Sequence, residues 1–211
     1  MSVATRFTDI ITTEEELRAI TGEPSAGAAG KAIDHIDRHF ASFIAKSPFV
    51  LIASSDGEGN HDISPKGDPG GFVLVLDEHT LAIPDRPGNR RADTFSNIIK
   101  QPNVALYFMV PGVAETLRVQ GRAMIVRDEE LRERMAVNGK APALALVVEV
   151  SEGFMHCAKC IIRSDLWDAS TWPDKDEVPS LSKALIEQKA LPMTPEQLQA
   201  GLEKDARERL Y

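Results

Sequence analysis

"LAIPDRPGNRRADTFSNI", residues 81–98, decides how this chain reads. It begins as an apolar run ending at Pro84, turns through Pro87-Gly88-Asn89, and continues in a helical pattern expected over 90–100. On that reading Ala92, Phe95, Ile98 and Ile99 form the buried face, and Pro102 stops the helix. Arg90 and Arg91 then fall in the first helical turn, beside unpaired N–H groups and the positive end of the helix dipole. One reading makes them solvent-facing residues whose penalty of roughly a few tenths of a kcal/mol is offset by Asp93. The sharper reading makes the missing negative charge a ligand. A phosphate there would meet the N–H groups, the dipole and charge-assisted arginine contacts together.

Outward from this stretch, short β-branched runs alternate with Gly/Asp/Asn turns. They are "FVLIASS" (49–55), "HDIS" (61–64), "FVLVL" (72–76), "TLAIP" (80–84), "VALYFMV" (104–110), "ETLRVQGRAMIV" (115–126) and "ALALVVEV" (143–150). Helices are expected over 13–21, where Thr13 and Glu16 have capping-box spacing and Gly22 can end the turn, and over 25–47. In the second, Ile33, Ile36, Phe40 and Phe43/Ile44 make one apolar stripe. A further helix follows Asp128 as cap, and 194–209 reads as a solvated amphipathic segment. Six or so closely spaced antiparallel strands interrupted by helices describe a small barrel with added helices, an α+β fold, rather than a doubly wound sheet.

Composition narrows the class. With 211 residues, 43% hydrophobic and 27% charged, the chain can bury a core without disulfide or metal. The net charge of -8 argues against a general nucleic-acid or anionic-membrane surface and isolates the arginines of 86–91 on an acidic background. Cys157 and Cys160 make no disulfide framework, and no secretory h-region is recognisable, so a cytoplasmic setting is expected. No window approaches the ~18 apolar residues of a membrane span.

Four segments in order, "DISPKGDPGGFV", "LAIPDRPGNRRADTFSNI", "PNVALYF" and "ETLRVQGRA", resemble the FMN-binding split-barrel family related to pyridoxamine 5′-phosphate oxidase. "MHCAKCIIRSDLWD" (155–168) resembles the C-terminal signature of an uncharacterised branch of it. The resemblance implies a six-stranded antiparallel split β-barrel over 48–150, an N-terminal helical extension over 1–47, and a helical and loop extension packed on the barrel over 151–211. It implies that Ser64, Pro65 and Lys66 lie along the flavin, and that Pro84 and Asp85 line its ring. Arg90 and Arg91 would grip the FMN phosphate. Thr116 occupies the place of an FMN-contacting glutamine in the oxidase, and Arg118, on the same strand face, would approach the cofactor. A homodimer with FMN between its subunits is implied. The arginine-rich signature that binds the oxidase's substrate phosphate is not recognisable, so the cofactor carries over and the vitamin substrate does not.

Other signals weigh less. "GAAGKA" (27–32) lacks the first glycine of a phosphate loop and the Ser/Thr after its lysine. His35 and His39 would share a helix face but lack a third ligand. Cys157-x-x-Cys160 beside His156 fits packed thiols, a redox dithiol, or half of a zinc site. Trp167 and Trp172 are candidates to cover a flavin edge or to fill an interface. No G-x-S-x-G elbow is present. The expected function is flavin-mediated electron or hydride transfer to an unknown substrate, with no metal and no assigned catalytic residue. The alternatives are a non-catalytic flavin carrier or redox sensor, or a split barrel using haem or a deazaflavin.

Overall fold

The computed structural model describes Arg6–Tyr211, and the chain divides into two compact units, Met1–Ala32 and Ile33–Tyr211. In the first unit, α1 (Glu14–Thr21) starts with the capping box its sequence spells. Thr13 Oγ1 accepts from the Glu16 N–H, and Glu16 Oε2 accepts from the Thr13 N–H. α2 (Ala26–Ala29) is a single turn capped by Ser25.

The helix expected over 25–47 is not continuous. In the second unit Ile33 is extended, bridged antiparallel to Gly153, and Asp37 starts a new helix, α3 (Arg38–Lys46), by accepting from the His39 and Phe40 N–H groups. A capping carboxylate and a strand-like pairing outweigh the periodic stripe, which spanned both segments. The stripe is still used: Ile36, Phe40 and Ile44 are buried, and Ile33 and Phe43 pack against them.

Seven strands follow: β1 (Phe49–Ser55), β2 (His61–Gly67), β3 (Leu74–Asp77), β4 (Thr80–Pro84), β5 (Asn103–Met109), β6 (Thr116–Val126) and β7 (Ala145–His156). They form one sheet in the order β2-β1-β5-β6-β7-β4-β3, every neighbouring pair antiparallel. The fold is α+β around an antiparallel sheet, as expected. The described residues form seven strands rather than six, and the sheet ends at β2 and β3 instead of closing on itself. Strand alternation sends Ile52, Leu81, Leu106, Phe108, Leu117, Val119 and Val148 into one apolar core with α3.

β7 runs beyond the apolar run at 143–150 to His156 because β6 offers a partner along its whole length, from Val126↔Ala145 to Thr116↔His156. The register shifts between Gln120 and Gly121. A Cβ at Gly121 would collide with the Glu149 backbone, so the bulge requires glycine there.

The remaining helices are α4 (Asp93–Lys100), α5 (Glu129–Arg134), α6 (Lys159–Arg163), α7 (Leu181–Lys189) and α8 (Pro195–Glu208). Asp128 caps α5 as expected. α4 begins at Asp93 rather than at residue 90, so Arg90 and Arg91 sit in the turn before it. Its buried positions are Thr94 and Ile98; Phe95 packs partly, Ala92 is exposed, and Ile99 is 78% exposed. Among the described residues no helix is long and apolar enough to cross a membrane.

Candidate functional site

A cavity of about 1000 Å³ opens between edge strand β2, the turn joining β4 to α4, and the C-terminal segment. β2 contributes Asp62 to Lys66, the turn contributes Asp85 to Ala92, and α4 contributes Asp93, Thr94 and Phe95. Lys140, Leu144, Glu208, Arg209 and Tyr211 complete the wall. Its size suits a cofactor-sized ligand.

The turn holds the unusual backbone. Arg90 has φ 61° and Ala92 φ 57°, both in the left-handed region that costs a non-glycine residue about 1 kcal/mol or more. The Asn89 side chain accepts from the Arg91 N–H at 3.0 Å, which helps hold the turn. α4 therefore starts from a left-handed Ala92 that supplies no side-chain cap. The first turn of α4 and both arginines line the same cavity, an arrangement that suits an anion. Arg91 Nε donates to Asp93 Oδ2 at 2.7 Å while remaining 73% exposed. Among the described residues Arg90 forms no side-chain ion pair or hydrogen bond.

Polar side chains elsewhere in the wall are held by hydrogen bonds. Lys66 Nζ donates to Ser64 Oγ at 2.8 Å. Thr94 Oγ1 donates to Asp62 Oδ2 at 2.8 Å and anchors β2 to the first turn of α4. Asp85 follows β4 directly, its N–H donating to the Leu144 carbonyl at 3.0 Å. Burial pushes the Asp85 carboxyl above its ordinary range, against the opposing pull of Lys66. Arg86 Nε donates to Asp68 Oδ2 at 2.6 Å, with the Asp68 side chain only 1% exposed. The Tyr211 hydroxyl donates to the other Asp68 oxygen, and the Arg86 guanidinium lies 5.5 Å from the Tyr211 ring centroid. Holding the neutral phenol against a carboxylate raises the Tyr211 pKa.

Of the residues singled out by sequence, Ser64, Pro65, Lys66, Asp85, Arg90 and Arg91 line this one cavity. Pro84 is buried one residue behind it, at the end of β4 opposite Ala145. Thr116 and Arg118 are not in its wall. They stand on β6 in a second cluster, with Thr116 fully buried and its hydroxyl donating to the Tyr107 hydroxyl at 2.7 Å. Arg118 lies over the Phe154 ring at 4.1 Å and donates through Nη2 to Glu152 at 3.0 Å, while its buried Nε has no partner among the described residues. Gln120 shares the same Glu152 oxygen at 2.7 Å.

Sequence reasoning missed Asp68, Lys140 and Tyr211. Asp68 and Tyr211 are 143 positions apart, beyond any local signal. Arg86 was visible only as part of the arginine excess. His35 lies outside α3 and bonds Asp34 at 2.9 Å, so it does not share a helix face with His39. Trp167 and Trp172 donate to the Val113 and Leu166 carbonyls and do not line the cavity. Among the described residues no three His, Cys, Asp or Glu side chains are grouped to hold a metal.

Similar solved structures include HupZ from Group A Streptococcus, 17% identical over 57% of this chain and 93% of that one, with a TM-score of 0.47. A protein related to general stress protein 26 from Clostridium acetobutylicum is 18% identical over 57% of this chain and 90% of that one, with a TM-score of 0.43. An FMN-binding protein from Syntrophomonas wolfei is 12% identical over 57% and 88%, with a TM-score of 0.44. No curated protein matches. The family described as pyridoxamine 5′-phosphate oxidase matches residues 36–157, more than half of the 211 residues and all seven strands, and this chain belongs to that family.

Proposed function

We propose that this chain is an FMN-binding oxidoreductase in which the cavity beside the Arg90-Arg91 turn holds the cofactor. The observation that carries the reading is the uncapped, left-handed entry to α4. Two residues with left-handed backbone, an uncapped helix start and two arginines line one cofactor-sized cavity. A bound dianion would complete a basic turn that stands out on an otherwise acidic chain.

In this reading Arg90 and Arg91 hold the FMN phosphate, and Arg91 exchanges its exposed contact with Asp93 for it. Ser64, Pro65 and Lys66 lie along the isoalloxazine, and Pro84 and Asp85 support it at the strand exit. The ring supplies hydride or electron transfer when bound. The chain's own part is to bind, orient and shield it, with the Lys66–Asp85 pair setting the local charge. Thr116 and Arg118 are held away from this cavity on β6. Their role in cofactor contact therefore belongs to a homodimer, in which the β6 cluster of one subunit faces the cavity of its partner. The unpartnered Arg118 Nε supports that placement, because a buried donor calls for an acceptor.

Absorbance of the purified protein and FMN titration test this directly. Flavin bands and saturable uptake are expected, and a colourless protein that takes up no FMN overturns the reading. A Soret band would reassign the cavity to haem. Anaerobic mixing with NADH or NADPH separates an enzyme, which bleaches the flavin, from a carrier or sensor, which keeps it oxidised.

A further inference from the structure

At the far end of β7 from the cavity lies chemistry that the flavin reading does not use. The strand begins at Ala145, opposite Pro84, and ends at His156, opposite Thr116. The chain then passes through Cys157, Ala158, Lys159 and Cys160 into α6. Both thiols are free and exposed. Twelve residues of extended strand place on the order of 40 Å of backbone between the Leu144 wall of the cavity and Cys157.

The local backbone brings the two cysteines together. Ala158 is right-handed helical (φ -66°, ψ -13°), and Lys159 opens α6. Two helical residues between them hold the Cys157 and Cys160 Cα atoms at about 5 Å, within the span a disulfide bridges without moving backbone. No third His, Cys, Asp or Glu joins them in a metal-holding group among the described residues. Two exposed thiols at bridging distance, on a turn anchored by the Ala158 carbonyl accepting from the Ile162 N–H at 2.9 Å, make a dithiol rather than two separate cysteines.

We propose that Cys157 and Cys160 form a reversible dithiol–disulfide couple that exchanges with low-molecular-weight disulfides, as a redox site at the opposite end of β7 from the cavity of its own subunit. With glutathione disulfide as oxidant, the thiolate of one cysteine attacks a glutathione sulfur, its S–S bond breaks, and one glutathione leaves as thiolate. The second cysteine then attacks the protein sulfur of the mixed disulfide and expels the other glutathione. The protein loses two protons and two electrons, and one glutathione disulfide becomes two glutathiones. The new bond ties the end of β7 to the first turn of α6. That strand end carries His156, whose ring packs 5.6 Å from Tyr107 and 4.8 Å from Phe154.

The test is intact-mass measurement and thiol counting after incubation of the full chain with glutathione disulfide. The expected product is lighter by two hydrogens, carries no adduct, has lost both thiols together, and returns to the starting mass with dithiothreitol. Cys157→Ser and Cys160→Ser are each expected to retain one glutathione adduct. In glutathione buffers the wild-type chain should titrate as a single two-electron transition. Two adducts on the wild-type chain, two thiols that stay unreacted, or a disulfide between two chains would each overturn the proposal. The readout needs no flavin, so its failure and the failure of the flavin reading are distinguishable.

Discussion

Arg86 and Asp68, 18 residues apart in sequence, meet at 2.6 Å with the Asp68 side chain 1% exposed. Asp68 also accepts from the Tyr211 hydroxyl, so one buried carboxylate joins the chain after β2, the turn before α4 and the segment after α8. Removing one partner of such a pair strands the other charge away from water. Asp68→Ala is expected to cost about 3 kcal/mol or more of stability, read as a fall in the denaturant midpoint. Tyr211→Phe removes one hydrogen bond to the same carboxylate and is expected to lower the midpoint by less than Asp68→Ala does. An Asp68→Ala midpoint equal to wild type would show that the pair contributes nothing.

Arg91→Ala is expected to weaken FMN binding by about 1.5–3 kcal/mol, the loss of a charge-assisted contact. Arg90→Ala and Arg90→Gly should both weaken it, because the left-handed strain at φ 61° is present before the ligand binds and cancels from the affinity. Flavin fluorescence titration reads all three. Unchanged affinity in Arg91→Ala places the phosphate elsewhere.

Asp85 makes stability depend on acid. Burial raises its folded-state pKa above the ordinary 3.8, so the folded chain holds that proton more tightly than the unfolded one. Its ionisation therefore costs stability as pH rises from about 3.8 through the folded-state value, and the cost persists at neutral pH. Asp85→Asn is expected to raise Tm at neutral pH and to flatten the pH dependence just above 3.8. A variant less stable at neutral pH would mean that Lys66 outweighs burial.

Gly121→Ala is expected to be severely destabilising, by more than about 2 kcal/mol, because its Cβ meets rigid backbone at Glu149 rather than a side chain that can move. Gly201→Ala, where nothing lies near the added Cβ in the middle of α8, is the matched control and should be neutral or slightly stabilising. Thermal unfolding compares them.

Much of this protein was determined by its sequence alone, because the signals were local. Alternating β-branched runs separated by Gly and Asp turns specify antiparallel strands, and Thr13 with Glu16, or Asp128 with Leu131, specify helix starts through bonds spanning three residues. The Pro87–Arg91 turn and the β2 segment 64–66 were legible for the same reason, and they line one cavity. What the sequence left open was settled by partners distant along the chain. α4 starts at Asp93 because Thr94 reaches back 32 residues to Asp62, and β7 continues to His156 because β6 is there to pair with it. Thr116 and Arg118 share a face with each other but not with the cavity, since which way a strand face points depends on the sheet's order and not on its own period. Tyr211 enters the wall through Asp68, Arg86 and Lys140, all distant along the chain. Hydrogen bonds and burial act through space, and only the folded chain decides which distant residues are brought within their reach.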